Sequence, residues 1–459
     1  MEYTSNTGVT MDSKAIIAIA VVAVVVVAGV GAIALVGKGT SDSNDNPLEC
    51  KLRVLGNANQ DNYLDQKDVD FIQEIVDGKT VWNRTADPLV DANNDGIIDA
   101  TDVNLVKGFI NGTNSTMYYL DWNNSVRSVQ YPLTQVLGTE YGIYTEFSTG
   151  LDMGIILGIY DKFTYMANGD IGPSGLDTTM YPNAGNMTEV GIKTPSLPDM
   201  YSGKVRILMG DPKWLGGYAD TAEAAGFTVI RLPENRTLNG VDALDTLITL
   251  GVMFNVQNKT APFIEFLDKV NEKVQSAVND SGAEVLSYII PYTAPGYLPA
   301  IYVDAHGSGS MTTADVTLLE MLPVKSKVTT TAADGFDEMT ADQVVALNPD
   351  LFVVSMFAYS SGKDYTVDQY KAAFKEFVEL GFDKSTAGKN GKVFAMPFEN
   401  CSVAGLATVL VLAAMIWPDA FDADEAWDMM QEYYDKFTNF NGDVKNSKFA
   451  PLNYADLKA

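Results

Sequence analysis

Two acidic, asparagine-rich loops thirty-four residues apart have the residue types and the spacing of calcium-binding loops. The second loop, residues 91–102, places oxygen-bearing side chains at positions 1, 3, 5, 9 and 12, with Gly96 at position 6. The first loop, residues 57–68, repeats the pattern with Asn62 in place of the glycine, and asparagine tolerates the positive φ that such a turn requires. A calcium ion takes six to eight oxygen ligands, so each loop is predicted to bind one Ca²⁺, the first more weakly because it begins with a neutral side chain. The predicted ligands are Asn57, Asn59, Asp61, Tyr63, Asp65 and Asp68 in the first loop and Asp91, Asn93, Asp95, Ile97, Asp99 and Asp102 in the second.

Each loop is followed by a pattern typical of an amphipathic helix. A glycine, Gly78 or Gly112, stands where each helix is expected to end. The alternative is an acidic linker that binds no metal. The apolar residues at helical spacing are Val69, Ile72, Ile75 and Val76 in the first copy and Val103, Val106, Phe109 and Ile110 in the second.

The duplicated segment resembles a type I dockerin from about Leu52 to Gly112. No helix is expected before either loop, and position 12 is Asp where an EF-hand usually has Glu, so an ordinary EF-hand pair fits less well. The resemblance implies docking onto a cohesin-like protein through positions 10 and 11 of the loops, and docking onto another part of the same chain is the alternative. These positions hold Gln66, Lys67, Ala100 and Thr101.

A membrane anchor is predicted at residues 15–36, which form an unbroken run of Ala, Val, Ile, Leu and Gly. About 20 apolar residues span a bilayer as a helix, and this run exceeds the usual length of a signal peptide, which is the alternative interpretation. Nine Asn-x-Ser/Thr sequons, against roughly four expected by chance, place the bulk of the chain outside the cell. They begin at Asn83, Asn111, Asn114, Asn123, Asn186, Asn235, Asn258, Asn279 and Asn400.

The rest of the chain alternates β-branched runs with amphipathic helices, which predicts parallel sheets flanked by helices. The strands fall into two groups on either side of a helix predicted at 261–278, with Pro262 in its first turn. Two lobes of parallel sheet joined by one long helix follow, with ligands expected beyond the carboxyl ends of the strands where the lobes face. The predicted strands are 133–137, 162–166, 205–209, 228–232, 285–290, 351–355 and 392–396.

Four short phrases in this body resemble class III periplasmic binding proteins, which deliver iron-siderophores, heme or cobalamin-type corrinoids to ABC importers. They are residues 154–162, 346–354, 389–393 and 417–421. The resemblance implies an acidic residue on each lobe that meets arginines of the permease, here Asp211 and Glu338. Residues 169–202 match less well and are interpreted either as a lid over the cleft or as a surface loop.

Aromatic residues in loops near the strand ends suit a large macrocyclic ligand, because flat rings give apolar contact at low entropic cost. The chain has a net charge of -28, and none of its arginines lies beyond Arg236, which disfavours an anionic ferric catecholate. A cobalamin-type corrinoid is therefore the favoured ligand, with a siderophore or heme as the alternative. The candidate ligand contacts are Tyr141, Tyr144, Trp214, Tyr292, Tyr297, Tyr302, Phe357 and Tyr359.

Other functions are less well supported by the sequence. The acidic balance argues against binding nucleic acid, and a single histidine, His306, argues against a receptor for bare zinc or manganese. No familiar catalytic motif is present, so no enzymatic activity is expected, with a chelatase and a structural cell-surface adaptor as alternatives. The predicted divisions are a cytoplasmic 1–14, an anchor 15–36, a tether 37–50, a calcium module 51–115, an N-terminal lobe 116–240, a helical bridge 241–281 and a C-terminal lobe 282–459.

Overall fold

The computed structural model describes residues 50–168, 172–192, 195–281, 284–293, 301–304, 311–313, 316, 319–328, 336–356, 359–360, 363–397, 403 and 405–458. The predicted anchor and most of the tether lie outside these residues, as does His306. Within the described ranges, no helix has both the length and the apolar character needed to cross a bilayer.

The calcium module contains two helices, α1 (Gln66–Val76) and α2 (Ala100–Ile110), as predicted, but each begins at position 10 of its loop rather than after the loop. The side chains of Asp65 and Asp99 cap these helices, and each is paired in a reciprocal capping box with the aspartate three residues later. Gly78 and Gly112 follow the two helices with φ of 71° and 69°, a conformation that glycine adopts without steric cost.

A hairpin and a short helix connect the module to the body. The hairpin, β1 (Ser115–Leu120) and β2 (Val126–Tyr131), is antiparallel, and Val54 of the module bridges to its first strand at Tyr119. The predicted strand at 133–137 is wrong, because these residues form α3 (Leu133–Leu137). The two terminal leucines are one helical turn apart and both buried, so a helix hides the pair on one face.

The N-terminal lobe is built on a five-stranded sheet in which every pairing is parallel. Its central strand β3 is short and was not predicted, and all four of its residues are buried. The strands are β3 (Gly142–Thr145), β4 (Phe163–Ala167), β5 (Thr188–Val190), β6 (Val205–Leu208) and β7 (Thr228–Val229), in the order β5-β4-β3-β6-β7. Its helices are α4 (Ser148–Leu157), α5 (Leu197–Ser202) and α6 (Ala219–Ala224), and β8 (Arg236–Leu238) follows β7.

Two helices lead from this sheet to the next, α7 (Ala243–Met253) and α8 (Gln257–Ser281). Helix α8 is the long helix predicted between the strand groups, but it begins at Gln257, so Pro262 lies inside the helix rather than in its first turn. The predicted apolar face is confirmed, since Phe263, Leu267 and Val270 are fully buried.

The C-terminal lobe has a seven-stranded sheet made of β9 (Leu286–Thr293), β10 (Ile301–Asp304), β12 (Val324–Ser326), β13 (Phe336–Met339), β14 (Leu351–Met356), β17 (Val393–Pro397) and β18 (Leu452–Asn453). Six of these strands lie in the order β13-β10-β9-β14-β17-β18, and β12 also pairs with β9. The pairs that β9 makes with β12 and β14, and that β14 makes with β17, are parallel as predicted. The strands β10, β13 and β18 pair antiparallel, which the prediction of parallel sheets did not include. The other elements are β11 (Met311–Thr313), β15 (Tyr359–Ser360), β16 (Lys363–Asp364), α9 (Ala341–Ala346), α10 (Val367–Val378), α11 (Thr386–Lys389), α12 (Gly405–Ile416) and α13 (Ala423–Phe437).

The lobes share one hydrophobic core on the side of α8. Phe263 and Phe266 of α8 pack edge-on or tilted against Tyr433 and Phe437 of α13, with ring centroids 5.4 to 6.5 Å apart. Aromatic pairs of this geometry add stabilisation beyond the area they bury. Helix α8 therefore packs in the core that the two lobes share and is not a loose tether.

Candidate functional site

The two predicted calcium loops have the same internal hydrogen bonds. In each loop the side chain at position 3 accepts from the N–H of position 5, at 3.0 Å for Asn59 and 2.9 Å for Asn93. The carboxylate at position 12 accepts from the N–H of position 3, at 3.2 Å in both copies. The repeat that residue spacing predicted is therefore also a repeat of hydrogen bonds in the structure.

Each loop contains buried side chains that carry oxygen atoms. Asp68 and Asp102 are fully buried, and burial raises the pKa of Asp68 to about 6 and the pKa of Asp102 above its ordinary value. Asn57 is buried, its Nδ2 donates to the carbonyls of Leu52 and Asp61, and its Oδ1 has no hydrogen-bond partner. Such an orphaned oxygen at position 1 is well placed to ligate a cation.

This donor set suits calcium better than a softer metal. Among the described residues, no group of three or more His, Cys, Asp or Glu side chains is gathered tightly enough to hold a metal ion by itself. A calcium loop also uses amide oxygens and a backbone carbonyl, so the asparagines at positions 1 and 3 and the carbonyl at position 7 belong to the set. The oxygen ligands therefore fit Ca²⁺.

The expectation for Asn62 is wrong. The residues with positive φ in the two loops are Gln60, at 59°, and Asn94, at 57°, both at position 4, together with Gly96 at 88°. In the first loop the left-handed turn thus falls at position 4 alone. Asn62 does not need the conformation that the glycine adopts in the second copy.

The calcium module packs onto its own chain. The buried Arg53 donates its backbone N–H to Thr249 of α7, at 3.1 Å, and its guanidinium donates to the carbonyls of Leu120 and Asp121, both at 3.0 Å. The positions predicted to contact a cohesin-like protein, Gln66, Lys67, Ala100 and Thr101, are all exposed. Packing in cis thus leaves the surface predicted for docking in trans uncovered.

Three of the predicted ligand contacts lie at or beyond the carboxyl ends of strands, and a fourth, Tyr302, lies beside one of them. Trp214 is half-buried in the loop that follows β6, with the Lys213 ammonium 4.6 Å from the centre of its ring. In the other lobe, Tyr292 lies near the carboxyl end of β9, opposite Tyr302 in the register, and Tyr359 follows β14. These positions are at the edges where parallel sheets bind ligands.

The remaining predicted contacts lie elsewhere. Tyr141 precedes β3, at the amino end of the sheet, where the Arg206 guanidinium lies 4.3 Å from its ring centre, so its prediction as a cleft residue is wrong. Tyr144 is fully buried inside the lobe. Tyr297 and Phe357 lie outside the described residues.

Three buried carboxyl groups form a closed ring at the carboxyl end of the N-terminal sheet, and sequence reasoning did not find it. Glu146 follows β3, Asp211 follows β6 and Glu234 follows β7. Glu146 accepts from the N–H of Asp211 at 2.7 Å, and Asp211 accepts from the N–H of Glu234 at 2.9 Å. Glu234 accepts in turn from the N–H of Glu146 at 3.2 Å, so this carboxyl ring ties three loops to one another.

The carboxyl ring combines three carboxyl groups with one nearby guanidinium group. The Arg236 guanidinium lies 3.4 Å from Asp211. Burial, followed by repulsion from the other two carboxyls, raises the pKa of Glu146 well above its ordinary value. Burial also raises the pKa of Glu234 to about 8. At neutral pH the ring therefore carries at least one proton.

The Thr145 hydroxyl lies close to two acceptors, 2.8 Å from Glu234 Oε1 and 2.9 Å from the carbonyl oxygen of Phe147. It has one proton and can donate it to either oxygen. Donation to Glu234 lowers the pKa of that carboxyl, but burial outweighs it and the pKa of Glu234 is raised.

The ring overturns one of the predicted permease contacts. Asp211 is fully buried and bonded to the backbone of Glu234 and Asn235, so it cannot meet another protein. Glu338 lies in the outer strand β13 and is exposed. The sequence shows that an acidic residue follows a strand, but it does not show whether that residue is buried.

The segment interpreted as a lid or a surface loop is not a simple surface loop at residues 172–187. Leu176, Met180 and Tyr181 are buried in the common core. Asp177 forms a buried ion pair with Lys448 of the C-terminal lobe, at 2.6 Å, and Asn439 donates to the carbonyl of Met180 at 3.0 Å. Residues 172–187 therefore join the two lobes.

A second connection between the lobes involves backbone. Strand β8 of the N-terminal lobe pairs antiparallel with β11 of the C-terminal lobe, from Arg236 opposite Thr313 to Leu238 opposite Met311. Both this strand and residues 172–187 follow carboxyl ends of N-terminal strands. The ligand edge of that sheet therefore faces the other lobe.

A cavity of about 340 Å³ lies between α8, α12 and α13. Lys273 and Glu425, which form an ion pair at 2.6 Å, are among its lining residues. None of the predicted aromatic contacts that the structure describes lines it.

Comparison with known proteins identifies the fold. No family model matches the sequence, and no curated protein is significantly similar to it. The structure is similar to that of the TroA-like periplasmic binding protein FepB from Veillonella parvula, with 16% identity, a TM-score of 0.53, and coverage of 71% of this chain and 97% of that chain. It is also similar to an ABC transporter solute binding protein from Sulfurospirillum deleyianum, with 12% identity, a TM-score of 0.51, and coverage of 72% and 98%.

These identities are low, so the similarity concerns the fold alone. The dockerin resemblance of the calcium module has no counterpart in the comparisons and stays a prediction. The body of this chain has the α/β fold of the TroA-like periplasmic binding proteins, as the class III resemblance implied.

Proposed function

We propose that the chain is a membrane-anchored, extracellular solute-binding protein of an ABC importer that captures a large metal chelate between its lobes. The observation that carries this proposal is the pair of sheets joined by α8, in the fold of TroA-like binding proteins, with the carboxyl edge of the N-terminal sheet facing the other lobe. Ligands of such open sheets bind beyond the carboxyl ends of the strands.

The proposed solute is neutral or cationic, with a cobalamin-type corrinoid favoured over heme or a ferric siderophore. An anionic chelate would be recognised by clustered arginines, but arginines near the strands already bind groups of this chain. Arg231 is buried and pairs with Glu223 at 2.8 Å, and Arg236 lies beside Asp211. Aromatic rings such as that of Trp214 then supply the contact area.

The two loops of the module are proposed to hold one Ca²⁺ each, using the twelve residues predicted from spacing. The orphaned Oδ1 of Asn57 and the buried carboxyls of Asp68 and Asp102 support this assignment. The ion would tie each loop into one compact turn by coordinating oxygens from five side chains and one carbonyl.

Exposed residues support the proposed partners and the proposed location outside the cell. Glu338 remains the proposed contact with a permease, and the exposed Gln66, Lys67, Ala100 and Thr101 remain available to a cohesin-like protein. Of the nine sequons, seven have an exposed asparagine, as glycosylation outside the cell requires, while Asn235 is half-buried and Asn400 lies outside the described residues.

A stability screen tests the solute assignment. The full chain, purified in detergent, would be melted alone and with cobalamin, hemin or a ferric hydroxamate, because a ligand that binds only the folded state raises the melting temperature. We expect cobalamin to raise it most, without chemical change in the ligand. Consumption of metal and tetrapyrrole would instead identify a chelatase, and a response to calcium alone would favour an adaptor.

A further inference from the structure

The first calcium loop is hydrogen-bonded to the start of the long helix. Gln257, the first residue of α8, forms two hydrogen bonds with Leu64, which is position 8 of the loop. The N–H of Leu64 donates to Gln257 Oε1 at 2.8 Å, and Gln257 Nε2 donates to the carbonyl of Leu64 at 3.2 Å. Leu64 is buried and Gln257 half-buried, so water competes weakly for these bonds.

One of these bonds is made by a peptide group that calcium is expected to use. Position 7 of such a loop coordinates the ion through its backbone carbonyl, and here position 7 is Tyr63. The carbonyl of Tyr63 and the N–H of Leu64 belong to the same planar peptide group. Hydrogen bonds polarise one another along such a group, so donation to Gln257 makes the carbonyl a better ligand. Fixing the peptide for calcium also fixes the side chain of Gln257.

The second half of the calcium module contacts the turn that precedes α8. Gly112, just beyond α2, lies so close to Asn255 that a Cβ there would be 2.6 Å from Asn255 Nδ2. Asn255 is in the turn between α7 and α8 and has a φ of 58°. Both halves of the module therefore touch the turn from which α8 starts.

We propose that the partner of the calcium module is the long helix of its own chain, and that Ca²⁺ bound by the first loop fixes the start of α8. The inference rests on the proposed calcium sites. Helix α8 packs on α4 of one lobe and on α12 of the other, so calcium stabilises the helix that joins the halves of the solute site. The contact leaves Gln66 and Lys67 exposed, so it does not use the dockerin docking surface.

The test compares Gln257→Ala with the matched control Gln66→Ala in the full chain in detergent. Calcium affinity is measured by calorimetry, and hydrogen exchange of α8 is measured by mass spectrometry with and without calcium. In the unaltered chain we expect calcium to slow exchange in the first turns of α8. We expect Gln257→Ala to abolish this slowing and to weaken binding at the first loop about tenfold, since coupling between two sites is reciprocal.

The outcomes separate the inference from the proposal beneath it. We expect Gln66→Ala to match the unaltered chain in both measurements, and Gln257→Glu, which keeps the acceptor for the Leu64 N–H, to retain part of the coupling. Unchanged calcium affinity and unchanged slowing in Gln257→Ala would overturn the inference while leaving the calcium sites intact. An unaltered chain that binds no calcium would overturn both.

Discussion

Replacing Glu234 by glutamine tests the carboxyl ring through the pH dependence of stability. In the folded chain the pKa of Glu234 is raised from about 4.5 to about 8, so between these pH values the native state holds a proton that the unfolded chain has lost. The stability contributed by this proton is fully present below about pH 4.5 and is lost as the pH rises through 8. Each pH unit in this range costs about 1.4 kcal/mol, so Glu234 alone lowers the free energy of unfolding by about 4 kcal/mol between pH 5 and pH 8.

Glutamine should keep the contacts and remove the titration. Its Oε1 can accept from the N–H groups of Glu146 and Phe147, which bond to Glu234 at 3.2 Å each, and its amide can donate to the hydroxyl of Thr145. We therefore expect Glu234→Gln to match the unaltered chain near pH 5 and to exceed it by about 4 kcal/mol near pH 8.

The assay is urea unfolding followed by tryptophan fluorescence across this pH range at constant calcium. Glu140→Gln is the matched control, because Glu140 is exposed and should leave the pH profile unchanged. If the free energy of unfolding of Glu234→Gln and of the unaltered chain changed in parallel with pH, the raised pKa of Glu234 would not cause the loss of stability. A variant that is less stable at pH 8 would also refute the reasoning, since the ring would then need the ionised carboxylate.

Two other substitutions test contacts around the ligand edge by the same unfolding assay. A Cβ on Gly210 would lie 2.4 Å from the carboxyl carbon of Glu146, so we expect Gly210→Ala to cost about 1–3 kcal/mol, whereas Gly185→Ala, with nothing within 4 Å of the new atom, should be neutral; equal effects would contradict the close approach. Lys448→Met leaves the carboxylate of Asp177 buried without its cation and should cost about 3–5 kcal/mol, and a loss below about 1 kcal/mol would show that this ion pair does not join the lobes.

The repeated fold of the two loops was predictable because the hydrogen bonds that shape each loop are local in sequence. Twelve consecutive residues determine each loop, and capping by Asp65 and Asp99 fixes where the helices begin. The long helix α8 was predictable for the same reason, since its apolar face repeats over many turns. Its true start at Gln257 was missed because that residue is held by Leu64, from a distant part of the chain.

The carboxyl ring was not predictable from local patterns. Glu146 and Asp211 are 65 residues apart in sequence, and Asp211 and Glu234 are 23 apart, so only the order of the strands brings them together. In so acidic a chain, a carboxyl after a strand carries little information by itself. The assignment of Asp211 to a permease contact failed for this reason, because a family pattern predicts a residue type and burial depends on the whole fold.

Calorimetric titration of the full chain with cobalamin, alongside the variant Trp214→Ala, tests most directly whether the lobes capture a metal chelate. We expect saturable binding of one cobalamin per chain, weakened about tenfold in the variant, because stacking on an aromatic ring contributes about 1–3 kcal/mol. Absence of binding by cobalamin, hemin and a ferric hydroxamate, or binding that Trp214→Ala leaves unchanged, would contradict it.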